Sequence, residues 1–124
     1  MTDSPTLLLD TSVLIDVLRN RNQWRSLLAG LTAAGHELAA SVVNVAEVHG
    51  GLRPGEEAAT RAFLAQLVLL PVTVSIAEAA GMLQAALRRQ GQTRSIADML
   101  VAATALDSGI PWPPIMSGIS SFPG

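Results

Sequence analysis

The sequence predicts an α/β fold, a short parallel β-sheet flanked by helices on both faces. Two observations carry this. Short apolar runs, Thr6 to Leu9, Glu37 to Ala40 and Leu70 to Val74, alternate with longer segments whose apolar residues recur at helical spacing. Strands separated by whole helices pair in parallel, because a parallel crossover needs that length of chain.

The elements follow in order. Leu7, Leu8 and Leu9 end the first strand at Asp10, and Ser12 is placed to cap the next helix. Val13, Leu14, Val17 and Leu18 share a face of that helix; Asn20 and Asn22 break it. A second helix runs from Trp24 to Leu31, and Gly35 closes the segment. Ser41 marks the switch from the second strand to a helix that Gly50 and Gly51 stop. Pro54 and Gly55 open a helix from Glu56 to Leu69, with Glu56 and Glu57 suited to the positive end of its dipole. Ser75-Ile76-Ala77-Glu78 has the spacing of a capping box and begins a helix to Arg89. Ser95 begins the last helix, to Leu106; it is apolar on every face and should be central and buried. Gly109 ends it, and weak strand character follows at Ile115-Met116. No repeat or linker divides the 124 residues, so residues 1–124 are expected to form a single domain.

Composition excludes several chemistries. There is no Cys, so disulfides, thiolate catalysis and Cys-zinc sites are ruled out. All eight basic side chains are Arg, which removes the P-loop lysine and Schiff-base chemistry. A net charge of −2 creates no global field for nucleic acid, so such a partner must be held locally. Only 3% of residues are aromatic, too few for a base-stacking platform. No basic leader is visible, and the uncharged run Ala62 to Ala77 is interrupted by Gln66 and Pro71, short of the ~20 residues a membrane span needs. A soluble, cytoplasmic protein with no membrane partner is expected.

Three acids stand in apolar runs. Asp10 ends Leu7-Leu8-Leu9, Glu47 lies within Val45-Ala46-Glu47-Val48, and Asp98 lies within Ile96-Ala97-Asp98-Met99. Such surroundings predict burial, and a buried unpaired carboxylate costs several kcal/mol or takes up a proton. In a parallel sheet the functional cleft lies beyond the C-terminal strand ends, where Asp10 sits and where helices carrying Glu47 and Asp98 begin. Convergence on a divalent cation gives the three a common reason, since hard cations take oxygen ligands and serve phosphodiester hydrolysis. Taken singly, Asp10 suits a helix cap, Glu47 a surface position and Asp98 a capping box with Ser95. Asp16 reads as a solvated helix acid, His49 as a surface residue, and Asn44, one turn before Glu47, as a group able to orient it.

Asp10-Thr11-Ser12-Val13-Leu14-Ile15-Asp16 resembles the opening motif of PIN-domain ribonucleases, in particular the VapC toxins. Ser41 to Gly50, with Glu47 three residues before Gly50, is similar to their second motif, and Ser95 to Ala103, around Asp98, to their third. The resemblance implies a PIN-like fold and RNA cleavage dependent on Mg²⁺, with Mn²⁺ able to substitute. It implies Asp10, Glu47 and Asp98 as metal ligands and catalytic groups, with Ser12 as a supporting hydroxyl. It also implies a VapB-type antitoxin as partner and a homodimer within a larger toxin–antitoxin complex. At the end of the chain the sequence departs from the family. Phe122-Pro123 matches the closing pattern, but Met116 and Gly118 stand where the family has Thr and then Asn or Asp, and Ser121 precedes the Phe. That removes a fourth acid and gives a second reading, a degenerate PIN scaffold that grips an antitoxin with little or no cleavage. A haloacid-dehalogenase-type phosphotransferase would want a second Asp where Ser12 stands, and a Lys.

Arg88, Arg89 and Arg94 flank the Asp98 helix and are candidates to hold RNA phosphates. Leu14, Val17, Leu18, Trp24 and Leu28 are expected to be core in part, with an exposed remainder forming a groove for an antitoxin segment.

Overall fold

In the computed structural model, residues 5–115 are described. The order is β1 (Leu7–Leu8), α1 (Thr11–Leu18), α2 (Trp24–Ala33), β2 (Leu38–Ser41), α3 (Val42–Gly50), α4 (Glu57–Leu64), β3 (Val68–Leu70), α5 (Val74–Arg89) and α6 (Ile96–Asp107). The sheet is parallel in the order β1-β2-β3, with Leu7 opposite Leu38 and Ala39 opposite Val68. Beyond β1, Ile115 adds a parallel bridge to Leu9, its amide donating to the Leu8 carbonyl while the Asp10 amide donates back to Ile115.

Side-chain alternation splits the sheet between two layers. Leu9 and Ala40 face Val13, Leu14, Val17, Trp24, Leu28, Val48 and Leu64 of α1 to α4. Leu8 and Ala39 face Val101 and Ala105 of α6, with Ile110 beside them. Helix α5 covers α6 through Ile76, Ala80, Met99 and Ala103. The small residues of α6 let it lie close to both sheet and α5. Val101 to Ala105 are buried as expected, whereas Ile96 and Leu106 at its ends are exposed. Among the described residues no helix is long and apolar enough to cross a membrane.

Several boundaries and caps differ from expectation, each for a local reason. Asp10, not Ser12, is the N-cap of α1: its carboxylate accepts from the Ser12 amide, and Ser12 sits inside the first turn. Helix α4 ends at Leu64 and β3 begins at Val68, because tightened turns from Gln66 to Phe63 and Leu67 to Leu64 break the helix. Strand β3 therefore ends at Leu70, where Pro71, lacking an amide hydrogen, cannot extend the ladder. Thr73, not Ser75, caps α5, its hydroxyl accepting from the Ile76 amide. The Gly50-Gly51 stop holds, with Gly51 as the C-cap of α3. Ile115 pairs as expected; Met116 and the closing Gly118, Ser121, Phe122 and Pro123 lie outside the described residues.

Candidate functional site

The strands are parallel, so their C-terminal ends share one edge of the sheet. Asp10 follows β1 there, and Ser41 ends β2 there and caps α3. Helix α6 returns the chain to Ile115, which pairs parallel beside β1; α6 therefore runs against the strands and starts at the same edge. Val43, in the first turn of α3, packs with Val101 of α6 in one cluster. Asp98 stands in the first turn of α6, its amide donating to the Ser95 hydroxyl. Three helix N-termini, each carrying partial positive charge, thus open onto one edge.

The acids are less buried than their apolar neighbours suggest. Asp10 is half-buried, and Glu47 and Asp98 are exposed. Val48 and Met99, next in sequence to Glu47 and Asp98, turn inward with the helix period, while those two carboxylates project outward and keep their hydration. Asp10 Oδ2 accepts from the Ser12 hydroxyl at 3.1 Å. Glu47 Oε1 accepts from the Thr11 hydroxyl at 2.7 Å, so the Asp10 turn of α1 and the middle of α3 are tied together. Asn44 Nδ2 donates to the same Thr11 oxygen at 3.0 Å. Among the described residues the Asp98 carboxylate has no hydrogen-bond partner, and no Arg pairs with any of the three acids.

The donor set suits a hard divalent cation: carboxylate oxygens, open to water, with no basic side chain neutralising them. It does not form a finished cage. Among the described residues no group of three or more His, Cys, Asp and Glu side chains gathers as a metal site. Like charges repel, and Glu47 and Asp10 each accept a hydrogen bond from a hydroxyl of α1.

The remaining expected residues divide. Arg88 and Arg89 are exposed in the last turn of α5. Arg94, also exposed, precedes the Ser95 cap, and its carbonyl accepts from Gln84 Nε2 at 2.9 Å, which fixes the α5–α6 turn. These cations therefore sit beside the Asp98 end of α6. Leu14 and Trp24 do not line a groove; they are 0% and 5% exposed and form the core between α1, α2 and the sheet. Val17, Leu18 and Leu28 do line one, a cleft of about 890 Å³ with Ala29 and Thr32 of α2 and Ala62 and Phe63 of α4. Asp16 is buried, not solvated: its carboxylate accepts from Asn22 Nδ2 at 2.9 Å across the α1–α2 turn. Thr11 is the site residue the sequence left unremarked. Its signal was present, a hydroxyl between Asp10 and Ser12 in the first motif.

The PIN domain model matches residues 7–112. The chain belongs to the PIN-domain family. Among curated relatives, Ribonuclease VapC19 of Mycobacterium tuberculosis is 37% identical over 99 residues, covering 80% of this chain and 79% of that protein. Ribonuclease VapC10 of the same organism is 37% identical over 99 residues, covering 80% and 74%. The family assignment is therefore to PIN domains of the VapC ribonuclease type. Solved PIN-domain structures share the fold. VapBC2 from Rickettsia felis, bound to a DNA fragment from its promoter, superposes with a TM-score of 0.72 at 20% identity, covering 85% of this chain and 83% of that one. DNA-bound VapBC from Salmonella typhimurium gives 0.72 at 21% identity, covering 86% and 83%.

Proposed function

We propose that this PIN domain is the toxin of a toxin–antitoxin pair, a divalent-metal-dependent endoribonuclease. The observation that carries the reading is the edge at which Asp10 and Glu47, tied through Thr11, face water with no basic partner. Relatives named ribonucleases support the activity. Asp10, Glu47 and Asp98 would hold one Mg²⁺ or Mn²⁺, which supplies Lewis acidity toward the phosphodiester and its attacking water.

The chain's own groups do the rest. Ser12 donates to Asp10 Oδ2, and among the described residues Oδ1 has no hydrogen-bond partner. Thr11 donates to Glu47 Oε1, and among the described residues Oε2 has no hydrogen-bond partner. Arg88, Arg89 and Arg94 attract the RNA backbone without reading its bases, which offsets the chain's overall negative charge locally. The helix N-termini of α1, α3 and α6 add fixed partial charge that favours phosphate at this edge.

A VapB-type antitoxin would occupy the groove between α2 and α4, and a homodimer within a larger complex fits the same reading. The groove opens at the C-terminal end of α1, near Val17 and Leu18, whereas Asp10 is at its N-terminal end. An eight-residue helix spans about 12 Å, so a segment from the groove needs about four extended residues to bring a basic side chain to the acids. That cation would neutralise the site and block phosphate.

Purified, antitoxin-free protein should cut RNA in Mg²⁺ or Mn²⁺, stop with chelator, and stop when Asp98 is replaced by Asn. The departures at Met116 and Gly118 from the family's closing pattern favour the second reading, a scaffold that binds an antitoxin without cleaving. No cleavage across a broad RNA panel in Mn²⁺ would decide for that scaffold.

A further inference from the structure

We propose that Asn44 and Thr11 are positioning residues, a directed hydrogen-bond relay that sets the Glu47 carboxylate and leaves one of its oxygens for the ion. The inference rests on the nuclease reading for its purpose, and on the geometry alone for the relay itself.

The direction of every bond is forced. The Ser41 amide can only donate, and it points at Asn44 Oδ1 at 3.3 Å. That closes the capping box of α3, in which the Ser41 hydroxyl accepts from the Val43 amide at 3.0 Å. With Oδ1 committed to the cap, the other atom of the amide, Nδ2, faces Thr11 and donates to its oxygen at 3.0 Å. A hydroxyl that accepts there has its one proton left for another partner. Glu47 Oε1, at 2.7 Å, is that partner. A carboxylate accepts and never donates when ionised, so the relay runs one way, from backbone amide to Asn44 to Thr11 to Glu47.

The relay is anchored where it starts. Ser41 and Asn44 are 0% and 1% exposed, so the amide cannot turn over without leaving buried polar atoms unpaired. No buried side-chain polar atom lacks a partner among the described residues. Glu47 itself is exposed, on a flexible side chain that solvent alone would leave free to rotate. Thr11 follows Asp10 directly, so the bond to Glu47 also fixes the spacing between α1 and α3, the two helices that bring these acids to the edge. An exposed ligand thereby inherits the order of a buried cap.

Thr11→Val keeps the shape and removes the donor, Thr11→Ala also removes the bulk, and Thr11→Ser keeps the donor. The three are compared with wild type in metal-free melting, Mn²⁺ calorimetry, RNA kinetics and the ¹³C resonance of the Glu47 carboxyl in metal-free protein. The Val and Ala variants should bind Mn²⁺ about tenfold more weakly, as loss of a ligand's supporting hydrogen bond typically does, with kcat falling and KM for RNA unchanged. Ser should restore affinity and rate. The Glu47 carboxyl resonance should move in Val and Ala but not in Ser. Should Val misfold, Ala carries the test. Wild-type affinity in both variants would overturn the proposal. So would a Ser variant that fails like Val, because packing and not the donor would then be responsible. A wild-type chain that takes up no Mn²⁺ and cuts no RNA would overturn the nuclease reading instead, and an unmoved Glu47 resonance would overturn the relay whichever way that result falls.

Discussion

Asp10 carries part of the site's charge and the cap of α1 on one carboxylate, and the two roles separate by substitution. Asn caps a helix as well as Asp does, whereas Ala costs about 0.5–2 kcal/mol. Asp10→Asn should therefore melt close to wild type yet lose Mn²⁺ uptake and RNA cleavage, and Asp10→Ala should lose stability as well. Urea unfolding beside calorimetry checks this; an Asn variant that keeps full cleavage would remove Asp10 from the chemistry. Glu56 shows a second residue-scale effect. The Arg53 amide, which donates to it at 2.6 Å, holds its carboxyl below the ordinary 4.5, and Arg19 adds to this. A group depressed in the folded state stabilises it above the ordinary pKa, and that contribution is lost as pH falls below 4.5. Glu56→Gln should accordingly melt below wild type at neutral pH, with the gap closing in acid. A gap that stays constant from neutral to acid pH would show that charge is not its cause.

Among the elements, α5 gives the sharpest test. Two hydroxyls compete as its cap in the sequence, Thr73 and Ser75, and the spacing to Glu78 points to the second. The structure selects Thr73, because the chain leaving β3 through Pro71 reaches helical geometry at Val74. Thr73→Ala should cost about 1 kcal/mol and Ser75→Ala close to nothing. Denaturant midpoints of the two variants measure this, and equal losses would return the cap to Ser75. The start of β3 was hidden for a related reason. Leu67 to Val74 offers Leu or β-branched residues on both sides of Pro71, so composition does not say which three residues pair; Ala39 and Ser41 of β2 select Val68 and Leu70.

Across the whole molecule, the groove and the Asp10 end of the acidic edge lie at opposite ends of α1, on the layer formed by α1 to α4. Trp24 and Leu14 hold that layer together from inside, so truncating Trp24 would cost about 3–5 kcal/mol of core packing and say little about a partner. Ala29 and Ala62 are exposed on facing walls of the groove and are the better probes. Ala29→Glu and Ala62→Glu should each weaken an antitoxin complex at least about tenfold while leaving melting within about 0.5 kcal/mol of wild type. Unchanged affinity in both would place the antitoxin on another surface.

The sequence by itself determined the α/β class, the order of its elements, the Gly50-Gly51 stop and the three acid-bearing motifs. Each is written in a local pattern: apolar period, a turn residue, or a charge within an apolar run. Tertiary structure decided what a local pattern does not contain. The partner strand chose the register of β3, the route of the chain chose the cap of α5, and packing buried Leu14, Trp24, Val17 and Leu28 alike, with Val17 and Leu28 forming the floor of a groove that the half-buried Leu18 also lines. Apolar neighbours in sequence do not bury the acids because they are not neighbours in space: on α3 and α6, Val48 and Met99 turn inward while the adjacent carboxylates of Glu47 and Asp98 turn outward. The tie from Asn44 through Thr11 to Glu47 joins residues on two helices separated by β2, and only the folded sheet brings them within a hydrogen bond.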